Sequence, residues 1–112
     1  MHDELYSENE EPLSVDEHWA LGLFEGEGCL TISGGRPRVK LNSTDEDVVR
    51  RFANVINLGQ VREDRSQEKF GYKRQWEWYA ASSRDVGWFL LRYFDLFGVR
   101  RRERAVDLLE AL

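Results

Sequence analysis

The chain has 112 residues, 41% of them hydrophobic, including 4 Trp, 4 Tyr and 6 Phe, which suits one domain with one modest core. No apolar run approaches the roughly 18–20 residues of a membrane span, so no membrane partner is expected, and the acidic N-terminus does not read as a signal peptide. The net charge of −5 hides a segregation: residues 1–27 hold nine acids and no Lys or Arg, whereas residues 28–112 hold all 16 bases against 12 acids. Charge alone leaves two readings open, an acidic tail on a nucleic-acid-binding body and a solvated tail on an ordinary domain.

In chain order, residues 1–13 (MHDELYSENEEPL) are acidic, contain a proline and lack apolar periodicity, which predicts a largely disordered tail. Ser14 and Glu17 predict a capping box, opening a helix over 15–26. CLTIS-GG-RPRVKL, residues 29–41, predicts a hairpin about Gly34-Gly35, which supply the positive φ angles of a two-residue turn. Leu30 and Ile32 share one face of its first strand, and Cys29, Thr31 and Ser33 the other. Arg36, Arg38 and Lys40 alternate along the second strand against Val39 and Leu41, so one face is apolar and the other basic and hydroxyl-bearing. Thr44 predicts the next N-cap, followed by Asp45, Glu46 and Asp47 where the helix dipole favours acids. Val48, Val49, Phe52, Val55 and Ile56 form that helix's buried stripe, and Gly59 follows its end.

QVRED and YKRQWEWYAA predict a second strand pair joined by SQEKFG, with Trp76, Trp78 and Ala80 facing in and Gln75, Glu77 and Tyr79 facing out. Ser82 or Ser83 caps a helix that includes VGWFLLRYFDLF and ends near Gly98. Ala105, Leu108, Leu109 and Leu112 mark a last helix. Trp76, Trp78 and Trp88 match the buried stripes and read as core. The order α-ββ-α-ββ-α-α describes one α+β domain over residues 14–112, an antiparallel sheet with helices on one face only.

The chemistry concentrates in ALGLFEGEG, residues 20–28. Gly22 and Gly26 at i, i+4 let a second copy of the helix approach closely across a two-fold axis, and each helix end then carries a carboxylate. Like charges brought together call for a cation, and Mg2+ suits few carboxylates plus substrate phosphates. Glu25 and Glu27 are two residues apart and point in different directions on a helix, so one serves structure and the other chemistry. Glu27, nearer the sheet, is the better-placed metal ligand. The alternative is a solvated helix end whose glycines form a C-cap.

The stretch resembles the LAGLIDADG motif of homing endonucleases. Ala20 and Leu21 stand for its opening Leu-Ala, Gly22, Leu23 and Gly28 match, Phe24 stands for Ile, Gly26 for the small residue, and Glu25 and Glu27 for the two acids. Downstream, STDEDVVRRF, LGQV, SSRDV and RRRERA resemble the segments that follow the motif in small single-motif members, some of them phage-encoded. The resemblance covers residues 14–112 and implies a homodimer through the 15–26 helix, with Trp19, Gly22, Leu23 and Gly26 at the interface. It implies that Glu27 binds the catalytic Mg2+, or another divalent cation such as Mn2+, and that a saddle of sheets sits on double-stranded DNA whose two strands are hydrolysed. At the start of the second helix, where members often have Gln, this chain has Asp45. The basic catalytic residue near the last helix falls at Arg101, with Arg100 and Arg102 close by.

On this reading Thr31, Ser33, Arg36, Arg38 and Lys40 of the first hairpin and Arg62, Arg65, Lys73, Arg74, Gln75 and Tyr79 of the second contact DNA. Lys69 adds charge to the same hairpin, and Glu77 could accept from cytosine. A phosphate near Arg100–Arg104 would relieve the conflict of cations at a helix N-terminus. The lone Cys29 has no disulfide partner in the chain and fits a reducing cytoplasm, bacterial or phage-infected. Two competing readings remain: a DNA-binding regulator or RNA-splicing accessory that no longer cuts, and an interaction module whose acidic tail binds a basic partner.

Overall fold

A computed structural model of the chain describes residues 11–112; most of the expected disordered tail falls at 1–10, outside the described residues. Leu13, which the sequence places in that tail, packs against the core. The elements are α1 (Val15–Glu27), β1 (Gly28–Ser33), β2 (Arg36–Ser43), α2 (Glu46–Ile56), β3 (Gln60–Asp64), β4 (Gln75–Ala80), α3 (Ser83–Tyr93) and α4 (Val99–Glu110). Short 3-10 turns lie at Glu68–Phe70 and Phe94–Leu96. The strands form one antiparallel sheet in the order β1-β2-β4-β3, so the predicted element order and fold class hold.

α1 starts where the capping box predicts: Ser14 Oγ accepts from the Glu17 N–H and Glu17 Oε1 from the Ser14 N–H, both at 3.0 Å. Glu17 also fastens α1 to the end of α3. Its Oε2 accepts from Arg92 Nε at 2.8 Å and from the Tyr93 hydroxyl at 2.6 Å. The Arg92 guanidinium is the main reason the Glu17 carboxyl is held down at about 2, while burial, reinforced by that carboxylate, pushes the Tyr93 phenol well above its ordinary range.

The hairpin turn has φ of 58° at Gly34 and 77° at Gly35, the left-handed pair that a two-residue turn requires. Its register sets Leu30 against Val39 and Thr31 against Arg38, which keeps the apolar and basic faces separate. The helices cover the apolar face through an aromatic core. Phe24 meets Phe89 edge-on at 5.2 Å and Phe52 meets Trp78 edge-on at 4.9 Å, pairs that contribute about 0.5–1.5 kcal/mol each beyond area burial. A side chain at position 28 would lie 2.4 Å from the Phe24 ring, so Gly28 is the residue that lets β1 leave α1 beneath that ring.

Several boundaries differ from expectation. Asp45, not Thr44, is the N-cap of α2, and its side chain makes no capping bond; its N–H donates to Ser43 Oγ at 3.1 Å. Asn57, at φ 63°, forms the left-handed cap assigned to Gly59, because asparagine tolerates that region. β4 begins at Gln75 rather than Tyr72, since β3 ends at Asp64, whose partner is Gln75. α3 stops at Tyr93, and Arg102 takes the Asp95 and Phe97 carbonyls freed by the break. Trp88 is 46% exposed, because Val86, Phe89, Leu90 and Tyr93 already fill the one face that α3 turns inward. Trp76, Val48, Val55 and Leu109 are half-buried, and Leu112 is exposed beyond the end of α4.

Candidate nucleic-acid interface

Strand alternation places Leu30, Val39, Leu41, Trp78 and Ala80 under the helices. Register then puts Thr31, Ser33, Arg36, Arg38, Lys40, Arg62, Gln75 and Tyr79 together on the other face, which no helix among the described residues covers. Asn42 and Gln60 belong to that face too and were missed by the sequence reading. The signal was present: Asn42 continues the Arg38–Lys40 alternation, and Gln60 lies two residues before Arg62. Arg65, Lys73 and Arg74, also expected as DNA contacts, sit in the β3–β4 connection rather than on strands.

The two halves of this face differ electrostatically. Among the described residues, Arg36, Arg38 and Lys40 make no ion pair, so the β1–β2 half is an uncompensated basic surface. On the β3–β4 side, Arg62 Nη2 lies 2.7 Å from Glu77 Oε1, Arg65 pairs with Glu63, and Arg74 lies 3.5 Å from Glu63 and 3.8 Å from Glu68. Glu77 points outward as expected, yet it is only 4% exposed and is held by Arg62, so it is not presented to cytosine. Asp64, on the same face, accepts from the Ser66 N–H at 2.9 Å, which is the main reason its carboxyl is held below the usual range.

One end of the sheet carries the acids. Gly28 pairs with Leu41, so Glu27, just before β1, and Asp45, just beyond β2, lie at the same end. Glu25 and Glu27 differ in their surroundings. Glu25 Oε1 accepts from the Gly98 N–H at 3.1 Å, which puts an acid at the N-terminus of α4, where the dipole favours it. Glu27 is exposed and has no polar partner among the described residues. Arg101 closes the junction from the other side: Nη1 donates to the Gly28 carbonyl and Nη2 to the Glu25 carbonyl, both at 3.0 Å. Its Nε lies 3.4 Å from Glu25 Oε1 in a geometry that leaves it without a hydrogen bond.

Arg101 therefore caps the last turn of α1, beside Glu27. Arg104 Nε similarly donates to the Leu30 carbonyl at 3.3 Å. Backbone carbonyls thus engage Arg101, Arg102 and Arg104 at the start of α4.

The outer face of α1 is open. Among the described residues a Cβ at Gly22 or Gly26 would meet nothing within 4 Å, so packing among them does not explain either glycine. Each costs the helix about 1 kcal/mol relative to alanine. Leu23 and Trp19 flank them half-buried, with the Arg51 guanidinium 3.9 Å from the Trp19 ring. Among the described residues no cluster of three or more His, Cys, Asp or Glu could hold a metal ion. One chain offers the Glu27 carboxylate alone, a hard oxygen donor that fits half of a Mg2+ site completed by a second copy and substrate phosphate. No helix among the described residues is long and apolar enough to cross a membrane.

No protein-family model and no curated protein matches the chain. Solved structures do. The archaeal intron-encoded homing endonuclease I-Vdi141I, complexed with DNA, is similar at a TM-score of 0.63 and 18% identity, over 84% of this chain and 69% of that one. The homing endonuclease I-CvuI in complex with its target gives 0.64 and 13% identity, over 82% of this chain and 62% of that one. I-TnaI, also a homing endonuclease, gives 0.60 and 12% identity, over 84% of this chain and 83% of that one. The chain spans less than two thirds of I-CvuI. With the ALGLFEGEG helix leading into an open antiparallel sheet, the fold of this chain is that of the LAGLIDADG-type homing endonucleases.

Proposed function

We propose that two copies of this chain form a sequence-specific, metal-dependent endonuclease for double-stranded DNA. The carrying observation is a basic sheet face that no helix among the described residues covers, ending beside an exposed carboxylate, Glu27, that has no polar partner among them. Arg36, Arg38 and Lys40 supply charge for phosphates, and Thr31, Ser33, Gln75 and Tyr79 supply hydrogen bonds toward base edges. Arg62, Arg65, Lys73 and Arg74 extend the contact along the second hairpin.

The Gly22–Gly26 surface of α1, flanked by Trp19 and Leu23, is the dimer contact in this reading, and it brings two Glu27 side chains toward one another. A Mg2+ or Mn2+ ion bound between them would supply positive charge against the scissile phosphate. Glu27 would hold that ion, Arg101 fixes the helix end that carries Glu27, and Asp45, at the same end of the sheet, would orient water. The DNA-bound and homing-endonuclease descriptions of the structural neighbours support this reading.

A second reading keeps DNA binding and drops cleavage, leaving a regulator or RNA-splicing accessory. The commitment of both Arg101 Nη atoms to carbonyls favours it, because a committed guanidinium is less available to a phosphate. Selecting bound duplexes from a random pool and incubating them with protein in Mg2+ or in EDTA separates the two. Nicking in Mg2+ that EDTA abolishes supports the endonuclease. Tight, sequence-selective binding without nicking supports the regulator.

A further inference from the structure

We propose that Glu77 is a positioning residue for sequence reading: it holds the Arg62 guanidinium in the orientation that recognises one guanine in each half of the bound duplex. The inference rests on the DNA-binding reading of the open sheet face.

Glu77 sits on the inner strand β4, with Asn42 of β2 on one side and Arg62 of β3 on the other. It is the buried carboxylate of the open face, 4% exposed, although that face needs no acid for solubility. A carboxylate withdrawn from water is unfavourable unless paired, and this one accepts a hydrogen bond from Arg62 Nε at 2.8 Å, with Nη2 of the same guanidinium in ionic contact 2.7 Å from the same Oε1. The Tyr79 ring lies against that guanidinium, 4.4 Å from its centroid, and the Tyr79 hydroxyl donates to Gln60 Oε1 at 2.9 Å, which fixes the ring. Arg62 is thus held from beneath by a carboxylate and from the side by an anchored aromatic.

A guanidinium carries five N–H donors, and Glu77 engages the side formed by Nε and one hydrogen of Nη2. The end of the fork, with one hydrogen on each Nη, stays available. That pair matches the O6 and N7 acceptors of guanine in the major groove, and adenine, with a donor in place of O6, rejects it. The Arg62 side chain remains 50% exposed, so the fork can reach a ligand. A phosphate contact would need no such fixed orientation; Arg36 and Arg38, which make no ion pair among the described residues, suit that purpose.

The test is the base preference, position by position, of full-length protein on duplexes selected from a random pool, for wild type, Arg62→Lys and Glu77→Gln, with thermal melting as a check on folding. The expected result is a guanine preference at one position per half-site that falls about tenfold or more in both variants, while preferences at other positions persist. A uniform loss of affinity with the guanine preference intact in Glu77→Gln overturns the positioning role and leaves DNA binding standing. Wild type that selects no duplex overturns both.

Because Glu77→Gln can compromise folding, side-chain 15N relaxation of the free wild-type protein gives an independent reading. Arg62 Nε is expected to be as rigid as the backbone, with Arg36 and Arg38 Nε mobile. Equal mobility of the three overturns the proposal.

Discussion

The two hairpins of the sheet use their arginines differently. On β1–β2, Arg36, Arg38 and Lys40 stand without acidic partners among the described residues. On the β3–β4 side, Arg62, Arg65 and Arg74 are each engaged by Glu77, Glu63 or Glu68. Unpaired cations attract a polyanion at long range and lose that attraction as salt rises. Paired cations give up much of that field and gain a fixed direction for their remaining donors. On the proposed function, the first hairpin serves affinity and the second register and discrimination.

The largest expected effect follows from this contrast. The combined variant R36A/R38A/K40A should cut duplex affinity severely and lower the slope of log affinity against log salt by about 2–3 for each bound copy. The matching variant R62A/R65A/R74A should lower the slope less and flatten sequence preference more. Equal slope changes in the two, measured by fluorescence anisotropy over a salt series, would break the contrast.

Next in size is Gly22→Leu, which places a branched side chain on the open face of α1 and should weaken self-association at least tenfold in sedimentation equilibrium. Because both sheet halves belong to each copy, it should reduce affinity without changing the salt-slope contrast between them. A variant as dimeric as wild type, or a wild-type monomer at high concentration, would remove the glycine face from the interface.

Arg101→Met removes two hydrogen bonds to carbonyls at the end of α1 and should lower stability by roughly 1–3 kcal/mol in urea denaturation. A loss confined to nicking, with stability intact, would instead place Arg101 in the chemistry. The smallest effect concerns the foundation that both halves share. The Glu17 carboxyl is lowered from 4.5 to about 2 in the folded protein, so its contribution is complete above pH 4.5 and drains away as pH falls toward 2. It amounts to roughly 1–2 kcal/mol after allowance for solvent screening. Glu17→Gln should flatten this acid-side loss in thermal melts; an unchanged pH profile would assign the acid sensitivity to other groups.

How much of this was legible in the sequence depended on distance along the chain. Alternation in RPRVK and the Gly34-Gly35 turn are local, and they assigned the basic face residue by residue. The Ser14–Glu17 box placed the start of α1. Long-range partnerships left no such mark. Nothing near Glu25 announces Gly98, and nothing near Gly28 announces Arg101, each pair 73 residues apart.

Glu77 was legible as an outward residue, but its burial beneath Arg62 depends on a register between strands that periodicity cannot supply. The exposure of Trp88 likewise depends on which face of α3 the core takes. Neighbouring elements determined which residues were covered and where each helix ended. The open glycine face of α1 was readable as a pattern, and the structure adds that nothing among the described residues fills it.

The claim on which the rest depends is that Glu27 serves chemistry rather than structure. Its most direct test is the nicking rate of wild type and Glu27→Gln in Mg2+ on a duplex selected by the wild-type protein, with binding measured in parallel. The account predicts nicking reduced at least a hundredfold in the variant, with affinity within a few fold of wild type. A Glu27→Gln protein that nicks as fast as wild type would contradict it.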